Sequence, residues 1–314
     1  MFFTHFILPG ILTFVITKIS IPFLMKSIAA LPTERGLHNI KKPSGGGIIF
    51  ALIYIMFLLN NDYYSLSIIS FPIAIIGLFD DKFCIPFLYK LVAQGLTVIS
   101  TILYIYNYRD TFINNLIGEN LVFIFILIFV GLCIINFINF MDGIDGLICG
   151  SFIIIFLTVN SEVIFLIPLV GSLLGFLTLN WQPSKIFMGD AGSLFIGSIF
   201  VSIIFTSESD IEFTKLILIA TPLLLDPLIT LIRRILNRQN FWKPHKLHLY
   251  QRLVSSGMSH AKVSCIYIFS ITLLCIFYKF SGLFNLALIS LTLVLIGIFL
   301  DFKTAKPFKK NTNF

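Results

Sequence analysis

Apolar runs of nearly membrane-spanning length recur along this whole chain. A membrane helix needs about 20 mostly apolar residues, and eleven runs approach or reach that length: 2–24, 45–59, 66–79, 88–106, 121–138, 147–159, 163–180, 191–206, 214–236, 263–279 and 283–301. Only 12% of the 314 residues are charged, about half the share found in soluble domains. The sequence therefore predicts one all-α membrane domain over residues 1–314, with eleven helices, or ten if one of the shorter runs does not span.

The Lys and Arg residues predict the sidedness of this domain. Nineteen of the 22 lie at one set of alternate helix ends, and only Arg109, Lys215 and Lys279 lie at the other. Because cytoplasmic loops of membrane proteins carry the excess of positive charge, we expect the amino terminus outside and the carboxyl terminus in the cytoplasm. The net charge of +7 then reflects this bias and a basic tail beside anionic lipid, and it requires no nucleic acid as partner.

Five aspartates stand in three short motifs at the predicted cytoplasmic face. They occur in GLFDD, NFINFMDGIDG and FMGDAGS, as Asp80, Asp81, Asp142, Asp145 and Asp190. Adjacent carboxylates repel each other and lose hydration near lipid, so their clustering predicts a shared cation. Oxygen ligands without Cys or His favour a hard ion, Mg²⁺ first and Mn²⁺ as the alternative. Each aspartate taken alone could instead cap a helix or pair with a lysine.

The spacing inside the second motif adds to this interpretation. Asn136, Asn139 and Asp142 are three residues apart, so they share one face if the helix continues through them. The glycines at 143 and 146 would allow the backbone to approach a ligand closely.

Basic residues and glycines lie at the same predicted face. Lys42 precedes the glycine run Gly45–Gly47, and the longest inner loop, 237–262, carries basic and histidine residues that include Arg238, His245, Lys246, His248, Arg252, His260 and Lys262. Positive side chains opposite a carboxylate cluster favour a diphosphate substrate. The alternatives are close helix packing for the glycines and interfacial anchoring for many of the charges.

One further acid stands inside an apolar run. Asp226 lies between Pro222 and Pro227 in the ninth run. Because proline interrupts helical hydrogen bonding, we expect a helix break there, with Asp226 facing the bundle interior and bound to freed backbone groups or to an arginine. Its part in the chemistry is left open at this point.

The motifs resemble those of the polyprenyl-phosphate N-acetylhexosamine-1-phosphate transferases, in glycosyltransferase family 4. The resemblance runs from R-x-x-H at Arg35–His38 and P-x-G-G-G at Pro43–Gly47, through the acidic motifs, to the histidine loop near residue 250. It implies that a lipid-carrier phosphate attacks the β-phosphorus of a UDP-N-acetylhexosamine and releases UMP. The expected partners are undecaprenyl phosphate, the UDP-sugar and the lipid of the bacterial cytoplasmic membrane, with the site facing the cytoplasm; a homodimer is left open.

The resemblance also implies roles in the phosphate chemistry. Asn139 and Asp190 would hold Mg²⁺, and Asp142 would support that site. Asp80, with Asp81 beside it, would orient the lipid phosphate or take its proton. Both direct displacement and an aspartyl-phosphate intermediate fit these residues, and we expect direct displacement because the incoming phosphate is already an anionic nucleophile.

Further residues are implied to bind the substrates. Lys90 would hold the lipid phosphate. The residues that would receive the uridine are Lys42, Asp145, Asn180 and Phe187. Those that would contact the sugar diphosphate are His245, His248 and Arg252.

The histidine loop favours one branch of the family. Its pattern H-x-x-H-L-Y-Q-R, from His245 to Arg252, lacks the consecutive histidines of the peptidoglycan enzymes. It resembles transferases that begin O-antigen or other surface polysaccharides, with UDP-GlcNAc or a deoxy relative such as UDP-N-acetylfucosamine as donor. A phospho-N-acetylmuramoyl-pentapeptide transferase is the alternative within the family. A cation transporter is the alternative outside it, and only Asp226 fits that reading.

Overall fold

A computed structural model of the chain describes residues 3–31, 40–58, 64–108, 111–117, 121–159, 164–240 and 245–308. The R-x-x-H segment Arg35–His38, Arg109 and residues 241–244 of the long loop lie outside these ranges. A π-helical turn, Phe3–Ile7, leads into the first helix. The α-helices of the described residues are α1 (Leu8–Ser27), α2 (Gly47–Leu58), α3 (Tyr64–Phe83), α4 (Phe87–Tyr108), α5 (Phe112–Ile117), α6 (Leu121–Phe140), α7 (Leu147–Val159), α8 (Ile167–Asn180), α9 (Gly189–Phe205), α10 (Asp210–Ile219), α11 (Thr221–Leu236), α12 (Leu249–Ser255), α13 (His260–Phe280) and α14 (Leu283–Lys303).

The helices follow the apolar runs of the sequence. Each predicted run falls on a helix, and the ninth falls on the pair α10 and α11. Among the described residues, five helical segments are long and apolar enough to cross a membrane, or six if that bent pair forms one span. Helices α2, α7, α8 and α9 are also apolar but shorter, with 12, 13, 14 and 17 residues. The helical fold with apolar helices able to span a membrane is thus confirmed, and the count of eleven spans and the sidedness stay predictions.

A small exception to the all-helical prediction follows α1. Strands β1 (Ala29–Ala30) and β2 (Lys42–Pro43) pair antiparallel, with Ala29 opposite Pro43. Two residues are too few to show the alternating pattern by which a strand is recognised in a sequence. The pairing holds Lys42 beside the end of α1.

Helix α9 forms the centre of the bundle. Every residue from Ala191 to Phe205 is buried, because α2, α3, α4 and α6 pack around it. A helix that is apolar on all sides must be enclosed by protein or lie in lipid. Helix α14 is also apolar but buries only Leu286 and Ser290, so most of its apolar surface is available to lipid. The start of α9 is therefore fixed by its neighbours, whereas α14 has a large surface for lipid.

The ninth run is broken, but not at the predicted position. Helix α10 ends at Ile219 and α11 begins at Thr221, with a bend of 75° between them. Pro222 lies in the first turn of α11, where its missing N–H costs no helical hydrogen bond, and Pro227 is accommodated inside the helix. The predicted break between the two prolines is therefore wrong, and Asp226 lies within α11.

The glycine run at the start of α2 packs against other backbone. The amides of Gly46 and Gly47 donate to the carbonyls of Phe187 and Met188, at 3.1 and 2.9 Å. A Cβ on Gly47 would overlap the backbone of Gly192 in α9. Since these amides are already engaged, the structure supports close helix packing, rather than a phosphate loop, as the reason for these glycines.

Candidate active site

The second and third acidic motifs border one cavity of about 230 Å³. The predicted site residues in its wall are Asn139, Asp142, Asp145, Asn180, Phe187 and Asp190. The first motif, at the end of α3, adjoins the cavity because α3 and α6 both pack against α9. The helix packing thus gathers three motifs that are far apart in the sequence at one place.

An ammonium group joins the first motif to the third. Lys90 Nζ lies 2.7 Å from Asp80 Oδ2 and 3.2 Å from Asp190 Oδ2. Asn139 Nδ2 donates to Asp190 Oδ1 at 3.0 Å and to the hydroxyl of Ser193 at 2.9 Å. Lys90 therefore neutralises two carboxylates that would otherwise repel each other, and Asp190 is the point where α4, α6 and α9 meet.

Asp81 binds the backbone at the start of α9. Its Oδ1 accepts the N–H of Asp190 at 3.1 Å and the hydroxyl of Ser44 at 3.2 Å, and its Oδ2 accepts the N–H of Ala191 at 3.4 Å. These amides have no partner inside the helix, and a carboxylate also suits the helix dipole. Gly189 has a φ of +72°, and a Cβ there would overlap this carboxylate. For Asp81 the structure therefore supports the helix-capping alternative.

The asparagines of the second motif face two different partners. Asn136 and Gln94 of α4 exchange two hydrogen bonds, at 2.6 and 3.2 Å, while Asn139 binds Asp190. Helix α6 ends at Phe140. Asp142 therefore does not continue the helical face of the two asparagines but lies in the turn that follows, contrary to the expectation of a continuing helix.

Asp142 sits in a strongly negative environment. Burial, together with the nearby carboxylates of Asp190, Asp81 and Asp145, raises its pKa well above the usual value. A raised pKa means that the ionised form of this carboxyl is disfavoured unless positive charge comes close. The cavity therefore favours the entry of a cation.

A second polar cluster surrounds Asp145. This carboxylate accepts the hydroxyl of Ser184 at 2.8 Å and the N–H of Ser184 at 3.2 Å. Lys42 Nζ lies 3.9 Å from Asp145 and donates to Ser184 Oγ at 2.8 Å. Burial acts to raise the pKa of Asp145, but hydrogen bonds with His260 and Ser184 and the charge of Lys42 outweigh it and lower the pKa. Asp145 is therefore ionised at neutral pH, unlike an isolated buried acid.

Phe187 and Asn180 complete this cluster. Lys42 Nζ lies 5.1 Å from the ring centre of Phe187, within the range of a cation–π interaction. Asn180 accepts the N–H of Gly146 at 3.1 Å and donates to the carbonyl of Ile186 at 3.0 Å. The structure thus brings together the four residues predicted to receive a uridine, and it shows that Asn180 holds two loops in place.

The two predicted histidines lie beside the end of α6. The ring centres of His245 and His248 are 4.8 Å apart, and His248 stacks on Phe140 at 6.1 Å. Burial lowers the pKa of both histidines to about 3, and the charge of Arg234 acts in the same direction. Both imidazoles are therefore neutral at pH 7 and offer hydrogen bonds rather than charge. Neither ring is part of the cavity wall.

The structure does not bring Arg252 to the cavity. Its guanidinium pairs with Asp301 and donates to the carbonyls of Lys306 and Leu247, at 2.8 and 3.1 Å. The side chain is buried and borders a separate, largely apolar cavity of about 110 Å³ between α11, α13 and α14. The predicted contact of Arg252 with the sugar diphosphate is not supported, because its donors hold α12 to the end of α14.

Four site residues were missed by the sequence interpretation. Ser44, Gln251 and His260 line the cavity, and Ser184 binds Asp145. Ser44 lies inside the P-x-G-G-G motif, which is a usable signal, and His260 stands in the sequence only as one of the basic and histidine residues of the long loop. Gln251 stands in the H-x-x-H-L-Y-Q-R pattern, which is also a usable signal, whereas Ser184 belongs to no motif and only its tertiary neighbours reveal it.

The donor chemistry of this cluster suits a hard divalent cation. The carboxylates of Asp80 and Asp190 and the amide of Asn139 are oxygen-bearing groups within one hydrogen-bonded cluster. Among the residues that the structure describes, no three His, Cys, Asp or Glu side chains form a group that could hold a metal ion. Mg²⁺ commonly takes only one or two carboxylates and completes its coordination with substrate phosphates and water. The residues fit such an ion when a phosphate substrate shares it.

The fold and the site define the class of protein. An apolar helical bundle carries Asp142, Asp145 and Asp190 around one cavity at helix ends, which is the arrangement of an integral membrane protein with a polar reaction or binding site. The profile of the family described as glycosyl transferase family 4 matches residues 63–208. This range contains all three acidic motifs.

Known relatives agree with the family match. A probable undecaprenyl-phosphate N-acetylglucosaminyl 1-phosphate transferase of Bacillus subtilis (strain 168) is 31% identical over 254 residues, which cover 73% of this chain and 70% of the relative. A decaprenyl-phosphate N-acetylglucosaminephosphotransferase of Mycobacterium leprae (strain TN) is 26% identical over 288 residues, covering 74% and 72%. A phospho-N-acetylmuramoyl-pentapeptide-transferase of Staphylococcus aureus (strain bovine RF122 / ET3-1) is 29% identical over 263 residues, covering 70% and 81%. The chain belongs to glycosyl transferase family 4.

Proposed function

We propose that this protein transfers an N-acetylhexosamine 1-phosphate from a UDP-sugar to undecaprenyl phosphate and releases UMP. The observation that carries the proposal is the cluster in which Lys90 bridges Asp80 and Asp190 while Asn139 binds Asp190. Phosphoryl transfer depends on positioning and on neutralising the charge of the phosphates. The ammonium of Lys90 and the carboxylates of Asp80 and Asp190 are charged groups of the kind that this chemistry needs, and they lie together in a largely apolar bundle.

The proposed cofactor is Mg²⁺, with Mn²⁺ as a substitute. Asp190 and Asn139 would hold the ion, and Asp142, whose pKa is raised by burial and by its acidic neighbours, would regain its charge beside it. When bound, the ion supplies charge neutralisation of the diphosphate and polarisation of the phosphorus. The capping bonds from Asp81 to the first amides of α9 keep Asp190 in place.

The cluster around Asp145 is the proposed site for the nucleoside. Phe187 offers a ring for stacking a base, and Lys42 stands 5.1 Å from the centre of that ring. The ionised carboxylate of Asp145 accepts N–H groups, and Lys42 offers a positive charge for the phosphate that follows the ribose. This part of the cavity adjoins Asp190, so the diphosphate of a bound UDP-sugar would extend toward the acidic cluster.

The lipid phosphate would be held at Lys90. Large apolar side chains that shortly precede Lys90 in the sequence are exposed, namely Phe83, Phe87, Leu88 and Tyr89. Such a surface suits an isoprenoid chain that lies in the bilayer while its phosphate reaches the ammonium. Asp80, 2.7 Å from Lys90, would orient that phosphate or take its proton before direct attack on the β-phosphorus. The positive-inside bias supports a site at the cytoplasmic face.

Surface-polysaccharide initiation, including that of O-antigen, is the biological role that we propose. The H-x-x-H-L-Y-Q-R loop and the relatives named as N-acetylglucosaminyl 1-phosphate transferases support UDP-GlcNAc, or a deoxy relative such as UDP-N-acetylfucosamine, as donor. The second candidate is transfer of phospho-N-acetylmuramoyl-pentapeptide, which is favoured by relatives of that name at 29% identity.

The decisive experiment measures UMP release by the purified protein in detergent. The protein is incubated with Mg²⁺, undecaprenyl phosphate and one donor at a time: UDP-GlcNAc, UDP-N-acetylfucosamine or UDP-N-acetylmuramoyl-pentapeptide. We expect UMP with one of the first two donors. Release with the pentapeptide donor alone would select the second candidate, and no release from any donor by folded protein would overturn the transferase proposal.

The transporter alternative rested on Asp226 near a broken helix. The oxygens of Asp226 accept hydrogen bonds from Leu249, Tyr250 and Tyr267, so protein groups already occupy the positions that a transported ion would need. Cation flux in proteoliposomes without any UMP release is the result that would favour this alternative.

A further inference from the structure

Asp226 is a buried carboxylate outside the acidic cavity. It lies in the middle of α11, only 8% exposed, and no motif of the proposed reaction includes it. A buried ionised acid is costly unless its oxygens are fully hydrogen-bonded. The partners of Asp226 therefore indicate what it is for.

Three donors from two other helices converge on this carboxylate. Leu249 N donates to Oδ1 at 2.7 Å, and Tyr250 N donates to Oδ2 at 3.1 Å. The hydroxyl of Tyr267 in α13 donates to Oδ2 at 2.7 Å. Leu249 and Tyr250 are the first two residues of α12, whose amides have no partner inside their own helix. Asp226 thus fixes the start of α12 between α11 and α13.

Helix α12 in turn contacts the turn that carries Asp142. The hydroxyl of Tyr250 donates to the carbonyl of Phe140 at 2.9 Å. A Cβ on Gly143 would overlap the same hydroxyl, so Tyr250 lies directly against the residues on both sides of Asp142. Gln251, the next residue of α12, forms part of the cavity wall. A shift of α12 would therefore move the turn and the wall together.

His248 immediately precedes this helix. Its buried Nδ1 lies 3.8 Å from Asp226 Oδ1, and its backbone N–H donates to Gln251 Oε1 at 3.3 Å. The position of this ring beside Phe140 therefore depends on the same anchor at the start of α12.

We propose that Asp226 is a positioning residue of the transfer reaction, acting through α12 and Tyr250 on the turn that holds Asp142. The proposal rests on the proposed function. Asp226 touches no substrate; it fixes the start of α12 so that Tyr250 packs against the turn in one arrangement.

The test is a double-mutant cycle with Asp226→Asn and Tyr250→Phe. Asparagine has nearly the same shape but one acceptor oxygen for these three donors and for the hydroxyl of Thr230 at 3.4 Å, so at least one N–H or O–H loses its partner. Tyr250→Phe removes only the hydroxyl that reaches Phe140. We expect Asp226→Asn, which disturbs several hydrogen bonds to one carboxylate, to lower kcat about 10- to 100-fold, and Tyr250→Phe, which removes one neutral hydrogen bond, to lower it about 2- to 10-fold. The KM for the UDP-sugar should change by about threefold at most.

If Asp226 acts through Tyr250, the effects of the two variants on kcat are not additive. The double variant is then little slower than the slower single variant. Additive losses would mean independent effects and would overturn the proposal, as would an Asp226→Asn variant with unchanged kcat. Should Asp226→Asn not fold, Tyr267→Phe replaces it, because it removes a single hydrogen bond to the same carboxylate.

Hydrogen exchange gives a second readout that does not depend on activity. Asp226→Asn should speed exchange about tenfold or more at the amides of Leu249 and Tyr250, and also in the turn 140–146. Ser290→Ala is the matched control, since it removes a buried hydrogen bond of 2.9 Å to Thr221 of α11 that does not reach α12. We expect this control to lower the melting temperature without changing kcat or exchange in the turn.

The outcomes separate this inference from the proposed function. If the wild-type protein releases no UMP from any donor, the proposed function fails, and a positioning role in that reaction fails with it. If the wild-type protein is active but exchange in the turn does not respond to Asp226→Asn, the inference about Asp226 fails alone.

Discussion

The amide of Asn139 donates to the carboxylate of Asp190 across 3.0 Å and joins two motifs that are 51 residues apart in the chain. This bond links the end of α6 to the start of α9, the most enclosed helix of the bundle. On the other carboxylate oxygen of Asp190, Lys90 closes the cluster toward Asp80. The acidic site is therefore a product of helix packing, and its charges are held before any substrate arrives.

Asp190→Asn should remove most of the transferase activity. The substitution keeps the size of the side chain but removes the charge that would bind Mg²⁺, so we expect turnover to fall about 10²- to 10³-fold. The measurement is UMP release as a function of Mg²⁺ concentration. Asp210→Asn, at an exposed position at the start of α10, is the control and should leave the rate unchanged. Full Mg²⁺-dependent turnover of Asp190→Asn would remove this residue from the proposed metal site.

Lys90→Met should separate the rate from the affinity for Mg²⁺. Without the ammonium, Asp80 and Asp190 are left adjacent with one more net negative charge, which attracts a divalent cation more strongly. We therefore expect turnover to fall about 10²-fold while the Mg²⁺ concentration for half-maximal rate decreases. The exposed Lys82 of α3 supplies the control variant Lys82→Met, which should change neither value. An unchanged rate in Lys90→Met would argue against a lipid-phosphate site at this ammonium.

Asp81→Ala should destabilise the protein more than removal of an ordinary helix cap. Asp81 accepts hydrogen bonds from two backbone amides of α9 and from Ser44, and each such bond contributes about 1 kcal/mol, so its removal leaves three donors without this partner. Ser209→Ala is the reference, since Ser209 caps α10 through one bond of 3.1 Å to Glu212 and such caps contribute about 1 kcal/mol. Thermal unfolding in detergent compares the two variants. Equal shifts in melting temperature would contradict the assigned role of Asp81.

The sequence predicted the parts of this site that depend on local pattern. Asp80, Asp190 and Asn139 stand in motifs next to apolar runs, and the helix packing brings them together as expected. Lys42 and Asp145 also meet, at 3.9 Å, although 103 positions separate their numbers in the chain. The apolar pattern of the sequence locates the helices well, because a helix that is buried in protein or lipid needs apolar side chains along its length.

Other features depend on tertiary contacts that no local pattern reports. Arg252 carries the charge expected of a phosphate ligand, but Asp301, near the end of α14, takes its guanidinium. Asp226 binds backbone amides of α12, whose start could not be located before the fold was known. The break of the ninth run precedes Pro222, because proline is tolerated in the first turn of a helix. For Arg252 and Asp226 the partner lies on another helix, which the local sequence does not reveal. For Pro222 the sequence allows two outcomes, because proline can interrupt a helix or stand in its first turn.

The histidine loop should become unstable in acid. Burial and nearby arginines lower the pKa of His248 to about 3, and the pKa of His245 is lowered to about 3 as well, whereas a histidine in the unfolded chain titrates near 6.5. Between these values the unfolded state binds more protons, so stability falls as the pH drops from about 6.5 toward 3 and is constant above this range. For the buried His248 the slope approaches about 1.4 kcal/mol per pH unit, and the more exposed His245 adds less.

Melting temperatures of the wild-type protein and of His248→Gln between pH 4 and 8 measure this effect. Glutamine keeps a polar side chain but has no proton to bind, so the decline below pH 6.5 should become shallower, while His245→Gln changes the slope by a smaller amount. Above pH 7 the pH dependence of the three proteins should run parallel, because both imidazoles are already neutral there. An unaltered acid decline in His248→Gln would show that His248 becomes charged without cost to the fold. In that case a negative partner would have to balance the charged ring, and Asp226, whose Oδ1 lies 3.8 Å from His248 Nδ1, would be that partner.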